Sequence, residues 1–266
     1  MIALEIGKKR RLRRIFQDDG RTVVVPMDHG LTFGPIIGLV NMQETIDRLL
    51  SGGVDAIVVH KGVAKNVDAG KAGLIVHLSG STKLGTDPDN KVHVCTVEEA
   101  LRIGADAVSV HINVGAEQED KMLAKLAKVA DDCDKYSVPL LAMMYPRGPK
   151  IENEHAPDVV ALVARLGAEL GADIVKTYYT GDIATFKEVV RGCHVPVIIA
   201  GGPKAETVQE VLQMVHDSLK AGGSGLSIGR NVFQHKNPAV MVGALSAIVH
   251  RNASVEEAFK IMGEPQ

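Results

Sequence analysis

Gly171-Ala172-Asp173-Ile174-Val175-Lys176-Thr177 places a glycine, an aspartate and a short β-branched run carrying one amine in immediate succession. The same opening recurs at Gly53-Val54-Asp55 and Gly104-Ala105-Asp106, each ahead of another apolar run. Glycine is favoured just past a helix because it enters the left-handed region without penalty. Each triplet therefore marks a helix end and a strand start, and the repetition predicts strands that cross over through helices into a parallel sheet.

Working outward, eight runs read as strands: 22–27, 55–60, 73–78, 107–111, 139–144, 173–177, 196–200 and 225–228. Helical periodicity fills the segments between and after them, at 42–51, 62–68, 97–103, 117–136, 157–170, 183–191, 205–220 and 238–251. Strands apolar on both faces need cover on both sides, which a packed barrel interior and an outer ring of helices supply. An open doubly wound sheet gives the same alternation with fewer strands. The strand count favours an α/β fold, a (β/α)8 TIM barrel with a short N-terminal helix at 6–16 that could plug its bottom. No low-complexity linker interrupts the chain, so a single domain over residues 1–266 is expected.

Composition narrows the partners. Thirty Lys and Arg against 32 Asp and Glu give a charge of -2, and the one basic block, 8–14, is short. Nucleic acid, which demands a broad basic face, is not expected as a partner. The longest apolar tract, 238–249, is too short for a bilayer, so no membrane association is expected. Three widely spaced cysteines, Cys95, Cys133 and Cys193, read as reduced thiols of a cytoplasmic protein.

In a barrel the chemistry collects beyond the carboxyl ends of the strands. The first strand ends Pro26-Met27-Asp28-His29-Gly30 and the fifth Met144-Tyr145-Pro146-Arg147-Gly148. The sixth continues Lys176-Thr177-Tyr178-Tyr179-Thr180-Gly181-Asp182. Lys176 is the sharpest feature: an amine within an Ile/Val strand is costly to bury charged, and a neutral amine attacks carbonyls. The iminium so formed is an electron sink that lets an adjacent carbon–carbon bond break or form. The competing reading is a lysine that snorkels outward or pairs with a carboxylate. Tyr145 and Asp28 are placed to move protons, against a packed ring for the first and an Asx turn for the second. His29 and Arg147 are candidate substrate contacts.

The seventh and eighth strands end Ala200-Gly201-Gly202-Pro203-Lys204 and Ile228-Gly229-Arg230-Asn231. Bare amides close to helix starts, with Lys204 and Arg230 beside them, suit a phosphate. His60, His77, His93 and His111 include three near strand ends, yet no H-E-x-x-H or paired-cysteine motif accompanies them. Neither a metal nor any other cofactor is expected.

Taken together and in order, these five motifs resemble the archaeal-type class I aldolase family over residues 5–250. The resemblance implies a metal-free Schiff-base barrel acting on sugar phosphates and assembling as a homo-oligomer, commonly a decamer. It implies that Lys176 forms the iminium, Tyr145 transfers protons, Asp28 is the acid/base carboxylate, and the Gly201-Gly202 and Gly229-Arg230 amides hold phosphate. The family has a fructose-1,6-bisphosphate aldolase branch and a 2-amino-3,7-dideoxy-D-threo-hept-6-ulosonate synthase branch. Val25 through Gly30, and Phe33-Gly34-Pro35-Ile36-Ile37-Gly38-Leu39, look more like the synthase branch. Aldolases of this type tend to carry an aromatic residue where Met27 stands. The synthase branch implies a transaldolase-type exchange between 6-deoxy-5-ketofructose 1-phosphate and L-aspartate 4-semialdehyde, within aromatic amino-acid biosynthesis by way of the shikimate pathway.

Overall fold

Eight short strands, each fully or almost fully buried, can satisfy their backbone groups without an exposed edge only by closing on themselves. They do so in the computed structural model, which describes residues 2–263. Thr22–Pro26, Ala56–His60, Gly73–His77, Ala107–Val114, Leu140–Pro146, Ile174–Thr177, Val197–Ala200 and Gly225–Ser227 form one closed parallel barrel. Each strand pairs with the next in the chain, and Thr22 lies in register with Gly225 to complete the ring. A TIM barrel is therefore the fold, and every strand expected from sequence is present.

Alternation divides the side chains into two sets. Val24, Ala56, Val58, Ile75, Ala107, Leu141, Ile174 and Ile198 fill the interior. Val23, Val25, Ile57, Val76, Val108, Ala142, Val175 and Val197 face outward into a larger core beneath the helices.

The three repeated triplets do more than punctuate. Gly53, Gly104 and Gly171 adopt left-handed φ values of 87°, 97° and 90°. The aspartate two residues on then accepts a backbone N–H from the start of the neighbouring strand: Asp55 from Val23 at 2.6 Å, Asp106 from Leu74 at 2.9 Å and Asp173 from Leu140 at 2.8 Å. Each carboxylate also ties down another segment. Asp173 meets Lys8 Nζ at 2.9 Å, Asp106 meets Arg14 Nε at 2.8 Å, and Asp55 accepts from Gln17 at 2.6 Å and lies 2.9 Å from His250 Nε2.

Several elements differ from the sequence reading. The N-terminal helix runs Ile2–Leu12, earlier than 6–16, and the residues that close the barrel bottom are Ile15 with Leu12 and Phe16, at and just after its end. The segment expected at 62–68 is helical only over Lys61–Ala64. The helix expected from 205 begins at Val208, because the Thr207 hydroxyl and the Glu210 side chain form a reciprocal capping box. A similar box at Ser254 and Glu257 starts a further helix, Val255–Met262. One-turn helices His29–Phe33 and Arg230–Phe233 and a small hairpin, Ser79–Gly80 with Val92–His93, were not anticipated and surround the barrel mouth. Among the described residues no helix is long and apolar enough to cross a membrane.

Candidate active site

The inward set continues upward from the apolar interior into a polar top layer. Lys176 follows Ile174, Tyr145 follows Met143, His60 follows Val58, His77 follows Ile75 and His111 follows Ser109, each two residues on and so on the same inner face. With Asp28, His29, Lys91, Arg147, Tyr178, Ser227, Arg230 and glycines 201, 202 and 229, they line a cleft of about 200 Å³ at the barrel mouth. Lys176, Tyr145, Asp28, His29, Arg147, Gly201, Gly202, Gly229 and Arg230 are thus brought together. Lys204 is not: it is exposed and borders a separate hollow with Asn231 and His235.

Lys176 is 6% exposed and, among the described residues, makes no hydrogen bond or ion pair. Burial lowers its pKa to about 8, with Asp28 pulling it up and Arg230 pushing it down. Burial alone would raise the pKa of Asp28, but its electrostatic interactions with His77, His29 and Lys176 outweigh it and hold the carboxyl below the usual carboxylate range. Asp28 is flanked by His77 Nε2 and His29 Nδ1, each 3.7 Å away, and His77 Nδ1 lies 2.7 Å from Ser109 Oγ. Burial takes the His77 pKa down to about 3 and also lowers those of His29, His60 and His111, so these rings are neutral near pH 7.

Tyr145 packs between His111, 4.9 Å between ring centroids, and Tyr178, 4.8 Å away. Its hydroxyl has no hydrogen-bond partner among the described residues, and burial raises its pKa well above the ordinary phenol value. It is a protonated phenol with its donor free. The Tyr178 hydroxyl, by contrast, accepts from Arg147 Nη2. Arg147 also donates to Glu154 from Nε at 3.0 Å and from Nη2 at 3.3 Å, leaving Nη1 4.0 Å from Asp89 Oδ1.

At the seventh and eighth strand ends the glycines are required by packing. A Cβ on Gly201 would lie 2.6 Å from Ile228 Cγ2, and one on Gly229 would lie 2.7 Å from both His29 Cε1 and Pro26 O. Arg230 Nη2 donates to Gly202 O at 2.8 Å, while its buried Nε has no partner. Asn231, which the sequence reading passed over, donates to Gly201 O and Pro203 O at 3.2 and 3.1 Å and so shapes the glycine loop. The trio His60, His77 and His111 carried a legible signal, since each occupies an inward-facing position near the top of its strand. Among the described residues no group of three or more His, Cys, Asp or Glu is arranged to hold a metal ion.

A buried amine without a partner, a protonated phenol and an ionised carboxylate around one cleft can form and hydrolyse an imine and move the protons that each step requires. Comparison with known proteins agrees. The description DeoC/LacD family aldolase matches residues 22–235. The chain is 46% identical over 261 residues to the 2-amino-3,7-dideoxy-D-threo-hept-6-ulosonate synthase of Halobacterium salinarum, covering 97% of both chains. It is 44% identical over 252 residues to the 2-amino-4,5-dihydroxy-6-oxo-7-(phosphonooxy)heptanoate synthase of Streptomyces griseus, covering 93% of this chain and 92% of that one. An archaeal fructose-1,6-bisphosphate aldolase, solved with its catalytic Lys covalently bound to the carbinolamine intermediate of its substrate, is similar at TM-score 0.85 and 38% identity. That match covers 91% of this chain and 99% of the other.

Proposed function

Because the chain belongs to the DeoC/LacD family of aldolases, we propose that it joins a three-carbon fragment of 6-deoxy-5-ketofructose 1-phosphate to L-aspartate 4-semialdehyde, giving 2-amino-3,7-dideoxy-D-threo-hept-6-ulosonate. Catalysis runs through a lysine Schiff base, a reading supported by the similar archaeal fructose-1,6-bisphosphate aldolase whose catalytic Lys is covalently bound to the carbinolamine intermediate. The observation that carries the assignment to this cleft is Lys176, a buried amine with no partner beside a free phenol. Identity of 46% to a synthase, against 38% to a fructose-bisphosphate aldolase, supports the choice of reaction.

The uncharged Lys176 amine adds to the C5 ketone of the donor, and the Tyr145 phenol donates a proton as the carbinolamine loses water. Phenolate and iminium arise side by side, each offsetting the other's buried charge. Removal of the C3 hydroxyl proton, by Tyr145 or Asp28, breaks the C3–C4 bond. Its electrons enter the iminium as an enamine, and C1 to C3 depart as a phosphorylated keto-aldehyde. The enamine carbon then attacks the aldehyde of aspartate semialdehyde, the new alkoxide takes a proton, and water releases the product and the amine. Gly201, Gly202, Gly229 and Arg230 hold the donor phosphate, so that binding energy remote from the reacting carbons orients them. A place in aromatic amino-acid biosynthesis, a cytoplasmic location and a homo-oligomeric, decameric assembly belong to the same proposal.

Mass analysis of products after supplying both substrates tests the reaction. A seven-carbon amino keto acid without phosphate is expected. Rapid fructose-1,6-bisphosphate cleavage with no use of aspartate semialdehyde would instead assign a class I fructose-1,6-bisphosphate aldolase.

A further inference from the structure

The donor brings one anionic group into the cleft, and the corner at Gly201, Gly202, Gly229 and Arg230 accounts for it. Another cationic wall faces that corner. Lys91 lines the cleft from the long loop between the third and fourth barrel strands, four strands around the closed ring from the seventh. Its ammonium donates to Ser81 Oγ at 2.6 Å and to Pro88 O at 2.7 Å, which leaves one donor, and no carboxylate lies within ion-pair distance among the described residues.

The loop that carries Lys91 is fastened from below. Lys125 Nζ donates to Lys91 O, Asn113 Nδ2 donates to Asp89 O at 2.7 Å, and Val94 N donates to Leu78 O at 2.8 Å. Arg147, on the same side, keeps Nη1 uncommitted to Glu154 or Tyr178, with Asp89 Oδ1 4.0 Å away. A partly buried ammonium held by two neutral oxygens on a tethered loop is prepared for an anion.

We propose that Lys91 and Arg147 Nη1 form a second anion subsite that takes the α-carboxylate of the amino-acid aldehyde, with the Asp89 carboxylate beside it for the α-ammonium. This rests on the condensation proposed above and names the residues that read its acceptor. Cations and carboxylates together suit a zwitterion, whereas Asp89 and Glu154 would repel a second phosphate dianion.

The test uses the whole enzyme with saturating ketose phosphate and compares Lys91→Met and Lys91→Arg with the unaltered chain. Losing a charge-assisted contact should raise the KM for aspartate semialdehyde about tenfold to about a hundredfold in K91M, with K91R recovering much of it. The effect should shrink when propanal, an uncharged aldehyde, is the acceptor. Borohydride trapping of the ketose phosphate reports the donor half separately. An unchanged KM for aspartate semialdehyde overturns the subsite, as does an equal KM rise with propanal or a loss of trapping that parallels the loss of acceptor use. An unaltered enzyme that traps the donor but consumes no aspartate semialdehyde removes the condensation itself, and that result precedes any variant.

Discussion

The two ends of the barrel bury charge in opposite ways. At the bottom, Asp55, Asp106 and Asp173 each accept a backbone N–H and each meet a cation, His250, Arg14 or Lys8. At the top, Lys176 and the Tyr145 hydroxyl have no partner among the described residues, and buried His29 Nδ1, His60 Nδ1, Ser227 Oγ and Arg230 Nε make no hydrogen bond. Satisfied charge holds a fold together, whereas unsatisfied charge costs stability and is retained where a ligand will complete it. The same side-chain chemistry thus reads as scaffold at one end and as reactivity at the other.

That contrast can be broken by exchanging the expected outcomes. Lys176→Met at the top should cut turnover at least about a thousandfold, since the other amine lining the cleft, Lys91, is held on its loop by Ser81 Oγ and Pro88 O. It should also raise the melting temperature, because it removes an amine whose charge burial disfavours. A variant that lost stability while keeping activity would reverse the assignment. Asp173→Ala at the bottom should do the opposite, lowering unfolding free energy by about 3 kcal/mol in denaturant titration while kcat changes little.

A smaller effect sharpens the account of the top. The group with a pKa of about 8 must lose its proton to attack, so kcat/KM for the ketose phosphate should climb with pH and level off above about 8. Asp28 raises that pKa, so Asp28→Asn should move the rising limb to lower pH even as the maximum rate falls. A limb that moves to higher pH would mean that Asp28 does not act on Lys176 as described.

Much of this was legible in residues alone. The triplets at Gly53, Gly104 and Gly171 marked strand starts because the left-handed glycine turn is local, whereas the aspartate hydrogen bonds to the neighbouring strands are long-range and were not legible. Lys176 stood out because an amine in an apolar strand contradicts its surroundings. The one-turn helices at the mouth and the hairpin at Ser79–Gly80 were invisible because tertiary packing, not periodicity, forms them. Lys204 was expected at the phosphate corner on a helix start at 205. The capping box at Thr207 delays that helix, and the lysine stays in solvent. Lys91 lies in a loop without periodicity, and only closure of the ring shows that it lines the same cleft as Arg230.

The central claim is that the amine of Lys176 forms the covalent bond to substrate. Incubation with ketose phosphate, reduction with borohydride and peptide mass mapping reads that bond directly. The account predicts a stable adduct on the peptide carrying Lys176, absent in K176M. An active enzyme that yields the adduct on another lysine, or none at all, would contradict it.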